Sequence, residues 1–243
     1  MRVAVISDIH GNWHAFEAVL ATIEQERVEE VWCLGDIVGY GPQPNRCVAS
    51  ARERSHICLI GNHDLAAIGR VPLADFAPDA AVSARWTAAE LDDEARVFLG
   101  GLKPRGERGG AELFHGSPRD PVWEYILSEA SVHAALDMTA AALVLVGHSH
   151  IPIALLRSNA NMLAGGLARG GSDIDLIEGR WLLNPGSVGQ PRDGDPRAAY
   201  LLIDFDARHA HFRRVPYDVA ATQAEIRANG LPEMLATRLA DGE

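Results

Sequence analysis

Five short strings in this 243-residue chain combine side chains that bind metal: Asp8-x-His10, Gly35-Asp36, Gly61-Asn62-His63-Asp64, His115-Gly116 and Gly147-His148-x-His150. Imidazole together with carboxylate suits divalent transition metals such as manganese, iron, zinc, cobalt or nickel. The absence of cysteine from the set argues against a structural zinc site. Two such ions ~3.5–4 Å apart need a bridging carboxylate, and stabilise both the attacking and the leaving oxygen of an in-line displacement. Asp36 is the natural bridge.

Each string alone has a plainer reading. Asp-x-His at a strand end is usually a turn or a helix cap, Gly-Asp usually starts a loop, and Gly-Asn-His-Asp can be an Asx-turn. His209-x-His211 shows the plain case: it lies between Arg208 and Arg213-Arg214 without a Gly or Asp companion, and reads as the solvent face of a strand. His14, one helical turn past His10, reads as a surface or satisfied histidine. The weight of the five strings is in their placement.

Each one follows a short apolar run: 3–7, 31–34, 57–60, 113–114 and 143–146. Runs of this kind read as strands buried on both faces. In open α/β sheets, ligands gather beyond the carboxyl ends of the strands. Helix signals separate the first runs. Asn12 is placed to cap a helix whose inner face is Phe16, Val19, Leu20 and Ile23, and Pro44 can open a second with Cys47, Val48 and Ala51 inward. This β-α-β-α-β start implies parallel strands. A helical excursion is expected over 65–105, with Thr87-x-x-Glu90 as a capping box. Strands are expected at 152–157, 173–177, 180–183, 199–203 and 209–215, with the four-glycine stretch 160–171 as a mobile loop or loose hairpin. A helical tail is expected over 218–240, after Asp218 and around the Gly230 stop. All of this is read as one domain, 1–243.

The formal net charge of −11, from 22 basic and 33 acidic residues, disfavours long nucleic acid and anionic lipid as partners. Bound cations would reverse that field locally. Cys33, Cys47 and Cys58 imply no disulfide framework and suit a reducing compartment. No apolar run approaches the ~20 residues that span a bilayer, and the strand pattern begins at Arg2. A cytoplasmic protein is expected.

The ordered series resembles the calcineurin-like metallophosphoesterase superfamily, over Met1 to about Tyr200. The longer strings 35–42 (GDIVGYGP), 115–120 (HGSPRD) and 184–193 (NPGSVGQPRD) resemble a bacterial branch of small phosphoesterases. The resemblance implies a four-layer αββα sandwich of two mixed sheets flanked by helices. It implies one metal held by Asp8, His10, Asp36 and His150, and a second held by Asp36, Asn62, His115 and His148. His63 would contact the phosphate and protonate the leaving oxygen, and a hydroxide between the metals would be the nucleophile. Asn62, His63, Tyr40 and Arg192 are candidate substrate contacts, the last through a bidentate guanidinium fork. Trp123 and Tyr125 either stack on a base or pack, with packing favoured.

Two departures matter. The protein serine/threonine phosphatase branch carries Asp-Arg where this chain has Gly39 and Tyr40, so the usual phosphate clamp and the carboxylate that orients the histidine are both missing. The tyrosine ligand of purple acid phosphatases belongs three residues after the aspartate, and Tyr40 is four after. What remains is hydrolysis of a small phosphodiester or phosphomonoester. The alternatives are a nucleotide phosphatase or dinucleoside polyphosphate hydrolase, and a non-catalytic scaffold of the same fold.

Overall fold

The apolar runs do become strands, and their residues alternate between two cores. Val3 and Val5 of β1 (Arg2–Ile6) join an apolar layer with Trp32, Leu113, Leu145 and Phe212, while Ala4 and Ile6 face a different layer with Phe16, Val19 and Cys47. This period of two makes β1 a strand covered on both sides. The computed structural model describes residues 1–243 except Ile177.

The chain runs through β1, α1 (Trp13–Gln25), β2 (Glu30–Cys33), α2 (Pro44–Arg54), β3 (Ile57–Cys58) and α3 (Asn62–Ala67). It continues through α4 (Pro78–Glu90), α5 (Asp93–Gly101), β4 (Arg105–Arg108), β5 (Ala111–Phe114), α6 (Glu129–Asp137) and β6 (Leu143–Leu145). The remainder is β7 (Ile153–Arg157), β8 (Leu163–Leu167), β9 (Asp173–Asp175), β10 (Arg180–Asn184), β11 (Ala198–Asp204), β12 (His209–Val215), α7 (Val219–Ala228) and α8 (Glu233–Asp241). Two six-stranded sheets result, ordered β3-β2-β1-β11-β12-β9 and β4-β5-β6-β10-β7-β8. Both are mixed: β1, β2 and β3 are parallel, as are β5, β6 and β10, and the outer strands add antiparallel pairs. Helices α1, α2 and α5 cover the outer face of the first sheet, and α6 covers the second through Val132, Ala135 and Leu136. This is the four-layer αββα sandwich.

The helix signals act as their chemistry requires. The Asn12 side chain accepts from the Ala15 amide, and Phe16, Val19, Leu20 and Ile23 are buried. Pro44 sits in the first turn of α2, and Asp218 caps α7. The capping box expected at Thr87 is a correction. Thr87 and Glu90 lie in the last turn of α4, which starts at Pro78; Leu91 turns extended, and Asp92 caps α5 by accepting from the Ala95 amide. The 160–171 stretch forms β8, hairpinned onto β7. Ile177, the last residue of the expected strand 173–177, lies outside the described residues, and β9 spans Asp173–Asp175. The sequence pattern does not anticipate strand β4, which has no apolar alternation, or helix α6, whose inner face is only Val132, Ala135 and Leu136. No helix among the described residues is long and apolar enough to cross a membrane.

Candidate metal centre

Because β1, β2 and β3 are parallel, as are β5, β6 and β10, the loops after them share one rim. Asp8 and His10 follow β1, Asp36 follows β2, Asn62 opens α3 after β3, His115 follows β5, and His148 and His150 follow β6. All seven are nearly or wholly buried. The loops hold one another through backbone bonds: the Asp8 amide donates to Gly35 O at 3.0 Å, and the His10 amide to Asp36 O at 3.0 Å. The 184–193 loop after β10 locks the same rim. Ser187 Oγ donates to Asp8 O at 2.7 Å, and Asn184 Nδ2 donates to Gly147 O at 2.6 Å.

Turning these side chains inward strains the backbone. Asp8, His10, Asp36, Tyr40, His148 and His150 are six of the nine described non-glycine residues with positive φ. Each such residue costs on the order of 1–3 kcal/mol and persists only where its surroundings over-determine it.

The hydrogen bonds leave two groups of lone pairs facing each other. His10 Nδ1 donates to Val38 O (3.1 Å), His115 Nδ1 to Leu34 O (2.9 Å) and His150 Nδ1 to Gln190 O (2.6 Å). Each carbonyl fixes its ring's tautomer, so each Nε2 is left as an acceptor. His148 is reversed: its Nε2 donates to Trp123 O at 3.2 Å, freeing Nδ1. The two carboxylates are held in the same way. Asp8 Oδ2 accepts from the His148 amide (3.1 Å) and Asp36 Oδ1 from the His63 amide (2.9 Å). Their other oxygens, Asp8 Oδ1 and Asp36 Oδ2, are buried without a hydrogen-bond partner among the described residues.

These free atoms converge. His10 Nε2 and His150 Nε2 are 3.0 Å apart, and His150 Nε2 is 3.5 Å from Asp8 Oδ1. Asp36 Oδ2 lies 3.4 Å from His115 Nε2 and 3.8 Å from His10 Nε2, between the two groups. Asn62 Oδ1 is 3.2 Å from His115 Nε2. Asp8, His10 and His150 form one metal-competent cluster, and Asp36, His115 and His148 another. Opposed lone pairs and orphaned carboxylate oxygens in a buried cleft repel one another unless a cation lies among them. The donor set therefore fits divalent metals.

The titrations of the metal-free protein point the same way. Burial pushes Asp8 up to about 7, helped by the Asp36 charge and opposed by His115. Burial works against a charged His115, yet Asp36 and Asp8 hold its pKa up at about 9. Burial would raise Asp36 too, but His115 and His63 outweigh it and keep this carboxyl below the usual range. A proton on His115 thus takes the place of positive charge beside Asp36.

His63 sits apart from the ligands. Its ring packs 4.3 Å from Tyr40, 4.9 Å from His10 and 5.0 Å from Phe76, centroid to centroid. Its Nδ1 has no partner among the described residues, and burial lowers its pKa to about 4. Glycine at 39 is what makes room. Its φ is +89°, and a Cβ there would lie 2.7 Å from His63 Nδ1. Aromatic packing on Tyr40 and Phe76 thus orients the ring where the protein phosphatase branch uses an aspartate. Gly61 meets a similar demand, because a Cβ there would lie 2.0 Å from Asp36 Oδ1.

The neighbouring Asp64 is structural. It accepts from the Val38 and Gly61 amides at 3.0 Å each, tying the Asp36 loop to the Asn62 loop. Arg192 reaches the rim with Nη2 on Gln190 Oε1 (2.7 Å) and near Tyr40 Oη (3.4 Å), while its Nε is buried without a partner among the described residues. Trp123 and Tyr125 do pack: Tyr125 stacks on His148 at 3.9 Å, and Trp123 meets Phe76 edge-on at 5.4 Å. His14 pairs with Glu225 at 3.0 Å, away from the ligands. Phe76, the Trp123 carbonyl and the 184–190 clamp were not singled out from sequence, and only the Asn-Pro-Gly-Ser string hinted at the last.

Residues 1–208 match the calcineurin-like phosphoesterase superfamily domain. The chain belongs to this superfamily. Among its relatives, an uncharacterized protein of Methanocaldococcus jannaschii is 37% identical over 243 residues, covering 98% of this chain and 96% of that protein. The crystal structure of a metallophosphoesterase from Sphaerobacter thermophilus shares 43% identity with a TM-score of 0.90 and covers 100% of both chains. Phosphodiesterase YfcE of Escherichia coli K12 is 25% identical over 216 residues, covering 85% of this chain and 89% of that one. As a calcineurin-like phosphoesterase, the chain has the fold and the His/Asp groups of a metal-dependent hydrolase.

Proposed function

We propose that this chain hydrolyses a small phosphoester with two divalent cations, one held by Asp8, His10, Asp36 and His150 and the other by Asp36, Asn62, His115 and His148. The observation that carries this reading is Asp36 Oδ2, buried, unpaired among the described residues, and within 3.8 Å of a histidine nitrogen from each cluster. When bound, the cations supply Lewis-acid activation of water and neutralise charge on the phosphoryl oxygens.

The chain's own residues do the rest. Asn62 and the partly free guanidinium of Arg192 bind phosphoryl oxygens, and Tyr40 lines the approach. His63 is neutral in the free site, where burial holds its pKa near 4. A bound phosphoryl group brings negative charge next to the ring, which favours its protonated form. The proton is then delivered to the leaving oxygen as the ester bond breaks. The name of the Escherichia coli relative supports a diester as the first substrate to try.

A second reading, hydrolysis of a nucleotide or dinucleoside polyphosphate, is favoured by one feature. Tyr125 stacks one face on His148 yet stays 45% exposed, and Trp123 packs edge-on against Phe76. A metal-by-substrate matrix on metal-stripped protein separates the two, using aryl monoesters, aryl diesters and nucleotides. Turnover that needs added metal and disappears in Asp36→Asn supports the proposal. Metal-independent turnover, or an active Asp36→Asn protein, overturns it.

A further inference from the structure

His209 and His211 gain in the structure the acidic companions that their sequence neighbourhood lacks. Strand β12 pairs antiparallel with β9 in a register that sets His209 opposite Asp175 and His211 opposite Asp173. Residues i and i+2 on two paired strands project from one face, so four metal-binding side chains form a square on the edge of the first sheet. The imidazoles stack with centroids 4.5 Å apart and planes at 14°. Both turn Nδ1 towards the carboxylates: His211 bonds to Asp173, and His209 lies 3.4 Å from Asp175. Ligand atoms of Asp173, His209 and His211 all fall within 4.8 Å of one another.

We propose that this square is a peripheral cation site, separate from the rim, that takes a borderline transition metal such as zinc, cobalt or nickel. The donor set of two imidazoles and the Asp173 carboxylate, with the Asp175 carboxylate beside His209, matches such ions and no thiol is present. One cation among them would draw on both imidazoles and the Asp173 carboxylate together. The nearby Arg213 does not block this, since it is engaged with Glu26 at 3.4 Å. The side chains are 24–68% exposed, so an ion has access. Its structural effect is to clip the three-residue edge strand β9 onto β12, anchoring Ile174 against the inter-sheet core.

The test is zinc stoichiometry by equilibrium dialysis on untagged, metal-stripped, full-length protein. Wild type is compared with His211→Ala, the milder His209→Gln, and Asp36→Asn as a control at the rim. Each peripheral variant is expected to bind one zinc fewer than wild type, or to weaken that equivalent at least about tenfold. Both should keep the circular dichroism and metal-loaded turnover of wild type, while Asp36→Asn keeps the peripheral ion. Equal zinc counts in wild type and both peripheral variants overturn the proposal. Because it reads a difference at the sheet edge, the outcome is independent of whether the rim holds one ion or two.

Discussion

Gly39→Ala tests how tightly the site depends on the seat of His63. The new Cβ would lie 2.7 Å from His63 Nδ1 and 3.0 Å from its Cβ and Cγ. Comfortable non-bonded contacts are about 3.5–4.0 Å, so the ring has to retreat by roughly 1 Å. It has little room, because Tyr40, His10 and Phe76 surround it at 4.3, 4.9 and 5.0 Å. Misplacing a reacting group by about 1 Å costs on the order of 10²-fold in rate. The substitution also forces a side chain to φ +89°, at about 1–2 kcal/mol, which lowers Tm by roughly 2–8 °C in a protein of this size. The new Cβ touches none of the proposed metal ligands. The expected result is a protein that keeps its metals, melts a few degrees lower, and loses about 10²-fold in kcat on a phosphoester with a poor leaving group. The assay is steady-state turnover of matched esters with good and poor leaving groups, alongside bound-metal analysis. Wild-type turnover on the poor leaving group would refute the claim that His63 acts from this seat.

His63→Ala should retain metal and slow poor leaving groups far more than good ones; equal losses on both would remove its role as proton donor. Arg192→Gln should lower kcat/KM for a phosphoester about 10–100-fold, in line with a charge-assisted contact of about 1.5–3 kcal/mol. Unchanged kcat/KM would exclude a phosphate contact. Metal-free protein should lose stability as pH falls from about 6.5 towards 4. Burial holds His63 near 4 and His148 near 3, and keeps His10 and His150 well below the usual value, so the unfolded chain binds more protons in that window. Asp8 and Asp64, raised to about 7, and His115, raised to about 9, act in the opposite direction but are fewer. A Tm that stays flat across this range would contradict the sign.

The convergence of the candidate site was largely legible because its residues belong to strand ends, and strand ends are marked locally by apolar runs stopping at Gly, Asp, Asn or His. Parallel pairing of β1, β2 and β3 then needs only a crossover rule to bring Asp8, Asp36 and Asn62 together. What stayed hidden depends on long-range register or irregular backbone. Phe76 follows a 3-10 turn over Leu73–Asp75 with no periodicity to betray it, yet it helps seat His63. The partners of the candidate ligand rings are carbonyls of Leu34, Val38, Trp123 and Gln190, which have no sequence signature. Thr87 misled because a capping pattern is two residue types at a fixed spacing, and Pro78 had already set where α4 begins. Asp173 and Asp175 meet His209 and His211 only through the pairing of β9 with β12.

The central claim is that Asp36 joins two cations. Anomalous diffraction from crystals of metal-stripped protein reloaded with manganese tests it most directly. Two peaks about 3.5–4 Å apart, one on each side of Asp36 and flanked by His10 with His150 and by His115 with His148, are the predicted result. A single peak at the rim, or a pair that leaves Asp36 without contact to both, would contradict it.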